Sequence, residues 1–175
     1  MDATLSPHPR SPGPDLSLRV RALRPRPNSL EVTYEVTGDV AALKVPGWVS
    51  RKRADELWRT TCFEAFIARP GGGYVEINLS PSGLYAVYGF SGYREGMGAL
   101  AGVEVRDTAR EHDEGRLMLT TTLDLDRLNL GEGPWRMGLS TVIETAGGAI
   151  SYWALAHPSD KPDFHHPDSF VLELP

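Results

Sequence analysis

The sequence predicts an all-β protein: an antiparallel β-sandwich with jelly-roll or immunoglobulin-like layering, about ten strands and little helix. Apolar and polar residues alternate with a period of two through most of the chain, which is the pattern of half-buried strands. The 175 residues include 18 glycines and 14 prolines, which favour turns and destabilise long helices. No segment carries the period of an amphipathic helix over about ten residues.

The alternating pattern recurs in short segments separated by turn residues. Leu18 and Val20 alternate with Arg19 and Arg21 in the first of them. The predicted strands cover residues 16–22, 30–36, 62–68, 74–80, 84–90, 103–110, 116–125, 136–145, 150–156 and 169–174, with a further short strand at 40–45. Because no crossover helices separate them, a parallel α/β sheet is excluded.

Composition limits the classes of function. The net charge of −5 gives no basic field, so we expect no nucleic-acid partner. Cys62 is the single cysteine and cannot form an internal disulfide. No apolar run approaches the ~18 residues of a membrane helix, so we expect no membrane span.

The chain is predicted to be one domain over residues 15–175, preceded by a flexible tail. Residues 1–14 contain four prolines and no apolar stretch typical of a secretory signal. We therefore expect a disordered N-terminus and a cytoplasmic protein.

A turn signal at residues 69–73 (Arg-Pro-Gly-Gly-Gly) separates two strand patterns and sets their pairing. If Ile67 faces Val75 across this turn, Phe63 faces Leu79, and the whole face is apolar. A slip by one residue would mix apolar and polar side chains on each face, so burial favours this register.

The other face of the same hairpin is polar. The predicted register places Glu64 opposite Asn78 and Phe66 opposite Glu76. A solvated sheet face and a concave face that binds a polar ligand both fit this pattern. Neighbouring aromatic residues favour a ligand such as a sugar, whose ring stacks on aromatic faces while its hydroxyls form hydrogen bonds. A glycosidase pair of Glu64 and Glu76 is a weaker alternative, because no other residue points to catalysis.

A second cluster lies in the C-terminal histidine loop, residues 157–168. His157, Asp163 and His165 are residue types that bind divalent metals. His166 follows His165 directly, and adjacent side chains of an extended chain point in opposite directions, so only one of the two could join a given site. An ordered surface loop, in which these side chains bond to turn backbone, is the favoured interpretation.

Several blocks of the sequence resemble the bacterial DOMON-like domains, which are related to family 9 carbohydrate-binding modules. The blocks are residues 58–66, 74–83 and 91–97 with Tyr88, followed by residues 152–157 and 161–165. The resemblance spans about residues 16–174. It implies an antiparallel β-sandwich that binds sugars or haem, with calcium as a frequent structural ion.

The combined interpretation is a non-catalytic module that binds a saccharide or another small polar ligand. The predicted ligand contacts are Trp58, Glu64, Glu76, Asn78, Tyr88 and Trp153. Calcium, and less readily haem, are the cofactors that the resemblance allows. The alternative is a haem- or metal-binding redox or hydrolytic protein centred on His157, Asp163 and His165. A homodimer formed through exposed aromatic residues is a third interpretation.

Overall fold

The computed structural model describes all 175 residues and contains twelve β-strands. The strands are β1 (Asp2–Pro7), β2 (Leu16–Leu23), β3 (Ser29–Gly38), β4 (Cys62–Ala68), β5 (Tyr74–Leu79), β6 (Tyr85–Phe90), β7 (Gly98–Ala99), β8 (Glu104–His112), β9 (Arg116–Asp124), β10 (Trp135–Glu144), β11 (Ile150–Ala154) and β12 (Leu172–Leu174). The all-β class and the antiparallel pairing are confirmed, and every predicted strand from residue 16 onward has a counterpart except the short one at 40–45.

The strands form two layers that share β1. Sheet A has the order β1-β2-β3-β9-β8, and sheet B has the order β7-β6-β5-β4-β10-β11-β1, with β12 paired to one end of β10. Residues 2–5 of β1 pair with β2, whereas Ser6 and Pro7 pair with β11. The first strand therefore passes from one sheet to the other and connects them.

The main core lies between the two sheets. It contains 30 buried residues, drawn from alternate positions of the strands in both layers. Tyr34 of β3 stacks on Phe63 of β4 at 4.8 Å between ring centroids, and its hydroxyl donates to the Glu64 carbonyl at 2.6 Å. The period-two pattern of the sequence thus corresponds to burial of one face of each strand against the opposite sheet.

The register predicted for the central hairpin is confirmed. Ile67 pairs with Val75 and Phe63 with Leu79, and all four side chains belong to the main core. The triple-glycine turn has positive φ at each glycine, and a Cβ on Gly73 would lie 2.2 Å from the Phe90 carbonyl oxygen. Glycine is therefore required at this position for the chain to reverse direction.

The predicted flexible tail is not observed. Leu5 is 2 % exposed and belongs to the main core, and the His8 amide donates to the Tyr152 carbonyl at 2.7 Å. The prediction was wrong because only Pro7, at the end of β1, lies within the paired segment. The residues before it form ladder hydrogen bonds and alternate in burial like those of any other strand.

One other local expectation needs correction. Residues 40–45 are not a strand: Val40–Ala42 forms a 3-10 turn, and Leu43 makes a single bridge to Thr145. The other 3-10 turns are Leu57–Arg59, Asp126–Leu128 and Pro167–Ser169. At three residues each, the helical segments are too short to cross a bilayer.

The outer face of sheet B carries a second, smaller apolar cluster. Its 11 buried residues include Phe66 and Tyr74 from the sheet, and Phe164 and Phe170 from the segment that follows β11. A Cβ on Gly138 would lie 2.9 Å from the Phe170 ring, so glycine at this point of β10 makes room for the covering phenylalanine. The C-terminal segment therefore shields this part of the outer face from solvent.

We predict that Leu5→Ala lowers the free energy of unfolding by about 2–3 kcal/mol, because it leaves a cavity between the sheets. Urea denaturation of the full chain measures this difference. Leu23→Ala is the matched control, since Leu23 is 40 % exposed and its truncation should cost less than about 0.5 kcal/mol. Equal stability of the two variants would contradict the placement of β1.

Candidate ligand-binding site

A cavity of about 360 Å³ opens on the outer face of sheet B. Strands β4, β5, β6, β10 and β11 supply its floor, and the loops that carry Trp58, Arg94 and Phe164 form its walls. Its lining residues are Trp58, Glu64, Glu76, Phe90, Arg94, Met97, Val142, Tyr152, Pro162, Phe164 and His165. The cavity therefore lies on the polar face that the hairpin register predicted.

The floor contains two buried carboxyl groups. Glu64 and Glu76 are 3 % and 4 % exposed, and the pairing of Glu64 with Asn78 makes them diagonal neighbours on adjacent strands. Asn78 donates from Nδ2 to Glu76 Oε1 at 2.7 Å. The Ser140 hydroxyl lies across from Glu64 but forms no hydrogen bond of normal geometry. The carboxyls are thus neither on an open sheet face nor fully engaged by the protein.

Burial dominates the protonation of this pair. Desolvation, followed by the charge of Glu76, raises the pKa of Glu64 well above its usual range, and the nearby Ser140 hydroxyl opposes this shift. Desolvation also raises the pKa of Glu76, opposed by the hydrogen bond from Asn78 and the charge of Arg94. The two carboxyls are close enough to influence one another, so the pair favours holding a proton.

His165 connects this floor to the covering loop. Its Nδ1 lies 2.7 Å from the Tyr74 hydroxyl, which also accepts from the Arg94 amide, and its Nε2 lies 3.9 Å from Glu76 Oε2. Because the Tyr74 oxygen already accepts a hydrogen bond, we assign its own proton to Nδ1 and the imidazole proton to Nε2. Desolvation lowers the pKa of His165 to about 4, so the ring is neutral near pH 7.

Arg94 and Asp163 hold two loops together at the cavity wall. Arg94 Nη2 donates to Asp163 Oδ1 at 2.8 Å, and the Tyr93 hydroxyl donates to the other carboxylate oxygen. The hydrogen bonds from Tyr93 and Arg94 keep the pKa of Asp163 below its usual value despite partial burial. Arg94 has φ of +56°, a left-handed conformation that aims its amide at Tyr74. This ion pair therefore shapes the wall and partly neutralises the Arg94 charge.

Apolar and aromatic side chains form the rest of the wall. Trp58 is half-buried and meets Tyr88 edge-on at 5.7 Å between ring centroids. Tyr88 does not line the cavity, and its hydroxyl donates to Asp55 at 2.5 Å. Tyr88 therefore supports Trp58 from behind, which corrects the expectation that it contacts a ligand directly.

Two further predicted contacts lie outside the cavity. Asn78 is completely buried beneath Glu76, which it positions by the hydrogen bond described above. Trp153 lies in the main core on the opposite side of sheet B, where its indole nitrogen donates to Ser151 at 3.0 Å. The neighbouring Tyr152 lines the cavity instead, because successive side chains of a strand point to opposite faces.

The predicted metal centre is not formed. His157 donates from Nε2 to the Ser6 carbonyl at 2.8 Å and packs edge-on against His8, whereas Asp163 is bonded to Tyr93 and Arg94. No three or more histidine, cysteine or acidic side chains converge in the structure to hold a metal ion. A calcium site built on three or more carboxylates, of the kind the resemblance could supply, is therefore not formed. His157 and Asp163 instead connect this loop to neighbouring segments.

Haem also lacks a suitable ligand in the cavity. Met97 and His165 both line it, but the two imidazole nitrogens of His165 face the Tyr74 hydroxyl and Glu76. These residues therefore do not fit haem coordination.

Sequence reasoning missed several lining residues. Tyr152 had a usable signal, since the β11 alternation that places Trp153 in the core assigns Tyr152 to the other face. Phe90 had a similar signal, because it pairs with Tyr74 on the polar face. Arg94, Pro162 and Phe164 come from loops, whose path over the sheet has no local periodic signal.

No protein-family model and no curated protein sequence matches this chain. The fold is similar to that of a proposed carbohydrate-binding protein from Bacteroides uniformis ATCC 8492. That match has a TM-score of 0.70 and 12% sequence identity, and covers 100% of this chain and 86% of the other.

The fold is also similar to a family 9 carbohydrate-binding module from Caldicellulosiruptor kristjanssonii. The module solved with glucose gives a TM-score of 0.56 at 10% identity over 94% of this chain and 78% of the module. The module solved with cellotriose gives 0.57 at 10% identity over 97% of this chain and 81% of the module. These likenesses confirm the fold that the resemblance to family 9 modules implied, while membership of the DOMON-like group stays a prediction.

We predict that the stability gained by Glu64→Gln increases with pH. Because folding raises the pKa of Glu64, the parent protein has its full stability below the ordinary pKa of 4.5, where this carboxyl is protonated in both the folded and the unfolded state. That stability is lost as the pH rises through the pKa of the folded state. Relative to the parent, the variant should become progressively more stable as the pH rises from roughly 4 to 8. Urea denaturation across this pH range measures the difference.

Glu173→Gln is the control for this measurement, since Glu173 is an exposed carboxylate on β12, the C-terminal strand, and does not line the cavity. If the difference in the free energy of unfolding between the parent and Glu64→Gln is the same at every pH, Glu64 is not buried in the folded protein.

Proposed function

We propose that this protein binds a saccharide, or another small polar ligand of similar chemistry, in the cavity on sheet B without transforming it. The observation that carries the proposal is the juxtaposition of a buried carboxyl pair with aromatic walls. Glu64 and Glu76 offer hydrogen-bonding oxygens at the floor, and Trp58, Tyr152 and Phe90 offer ring surfaces around them. A sugar presents this combination, with polar hydroxyls on its edge and C–H groups on its faces.

The dimensions and energetics are consistent with a small ligand. A cavity of about 360 Å³ lies at the lower end of the range for small-molecule sites. Each neutral hydrogen bond contributes about 1 kcal/mol net and stacking on one ring about as much, so we expect affinity in the micromolar to millimolar range. The hydrogen bond from Asn78 and the contact from Tyr88 hold Glu76 and Trp58 in place, which limits the entropy lost on binding.

The structural neighbours support the same class of ligand. Two of them are family 9 modules solved with glucose and with cellotriose, and the third is a proposed carbohydrate-binding protein. Their fold matches nearly the whole of this chain. The chemistry of the cavity provides the independent argument.

We predict that a glycan array followed by calorimetric titration identifies a saccharide whose binding Trp58→Ala weakens about tenfold or more, because the variant removes a stacking wall. Trp48→Ala is the matched control: Trp48 is 45 % exposed and does not line the cavity. A ligand that binds both variants as tightly as the parent would place the binding site elsewhere. If no saccharide on the array binds, the proposed ligand class is wrong.

A further inference from the structure

The carboxyl pair in the cavity lacks a basic partner from the protein. Glu64 takes part in none of the ion pairs of the structure, and the nearest basic atom to Glu76 is Nε2 of the neutral His165, at 3.9 Å. Arg94 is the one arginine or lysine that lines the cavity, and its guanidinium is bonded to Asp163 at 2.8 Å. Two acids are therefore buried at the same floor with no cation paired to either.

A ligand can supply the positive charge or the hydrogen-bond donors that these buried carboxylates lack. An ionised carboxylate removed from water is costly unless a cation or strong hydrogen-bond donors compensate it. Within the protein, Asn78 supplies one donor to Glu76, and Glu64 has no donor of normal hydrogen-bond geometry. A bound ammonium group would give both carboxylates charge-assisted hydrogen bonds, which are about twice as strong as neutral ones.

The walls suit a cation as well as a sugar ring. Trp58, Phe90 and Tyr152 line the same cavity, and the faces of aromatic rings attract ammonium groups as well as the C–H faces of sugars. Arg94 lies in the wall, where its bond to Asp163 partly offsets its charge.

We propose that the cavity prefers a ligand that carries a protonated amine, an amino sugar with a free ammonium group, over the corresponding neutral sugar. The inference rests on the proposed function, and it deepens it by naming the class of saccharide. The ammonium group lies at the floor between Glu64 and Glu76, and the ring stacks on the aromatic walls.

Binding of the amine is coupled to a proton. The titratable and charged groups around the pair are Cys62 on β4, Tyr74 on β5, Tyr88 on β6, Tyr34 on β3, His165 and Arg94. The raised pKa values of both acids mean that the empty site favours a bound proton. An ammonium ion favours the ionised carboxylates, so the pair releases its proton to the buffer when the amine binds. A neutral sugar does not require this release.

The test compares two matched pairs of probes: glucosamine with glucose, and ethylammonium chloride with ethanol. Carboxyl ¹³C signals of Glu64 and Glu76 in the full chain report binding, and calorimetry in two buffers of different ionisation enthalpy reports proton release. We expect the amine of at least one pair to bind about tenfold or more tightly than its hydroxyl partner, with release of a proton.

Variants assign this preference to the pair. Glu64→Gln should abolish the preference for the amine, and Glu76→Gln gives a second variant if the first does not fold. Glu173→Gln, which alters an exposed carboxylate outside the cavity, should retain the preference. A preference that survives both cavity substitutions would overturn the inference.

The outcomes separate this inference from the proposed function. If glucose and glucosamine bind equally and Trp58→Ala weakens both, saccharide binding stands and the amine preference is wrong. If ethylammonium binds through Glu64 while no saccharide binds, the ammonium site is supported and the proposed saccharide ligand is wrong. If neither member of either pair binds, the inference fails.

Discussion

The burial of the outer face of sheet B beneath the chain's own C-terminal segment is the constraint on which the site depends. An antiparallel sheet usually leaves one face in water, but β4 and β5 are buried on both faces. Phe164 and Phe170 cover part of this face, and the remaining gap is the cavity. Without that cover, Glu64 and Glu76 would be ordinary solvated carboxylates with no reason to hold a proton.

The cover is itself held by polar contacts to the strands. His165 reaches the Tyr74 hydroxyl, and Asp163 is bonded to Tyr93 and Arg94 from the loop after β6. The histidine and aspartate that resemble metal ligands in the sequence therefore perform a different task, fastening one loop to another over the sheet. The same residue types serve both roles, because imidazole and carboxylate groups bind protein donors and acceptors as readily as metal ions.

The central hairpin shows what the alternation of apolar and polar residues can predict. The alternation of Phe63, Ala65 and Ile67 predicted the register with β5, and the structure has the same pairs. The pattern also placed Glu64, Glu76 and Asn78 on a shared face. It did not reveal that this face is covered. Two other predicted ligand contacts, Tyr88 and Trp153, have different roles, since one supports Trp58 and the other fills the main core. The N-terminal strand was missed because its prolines suggested disorder, although they fall at or after its end.

The sequence by itself determined the fold class, most of the strands after residue 15 and which side chains share a face, because strand geometry fixes the direction of each side chain from its neighbours. Tertiary structure alone decided which of these faces is dry, which is covered and which opens into a cavity. Those properties depend on how loops from distant parts of the chain pack over the sheet. Trp58, Arg94 and Phe164 meet over the carboxyl pair from three separate loops, and no local periodicity encodes that meeting.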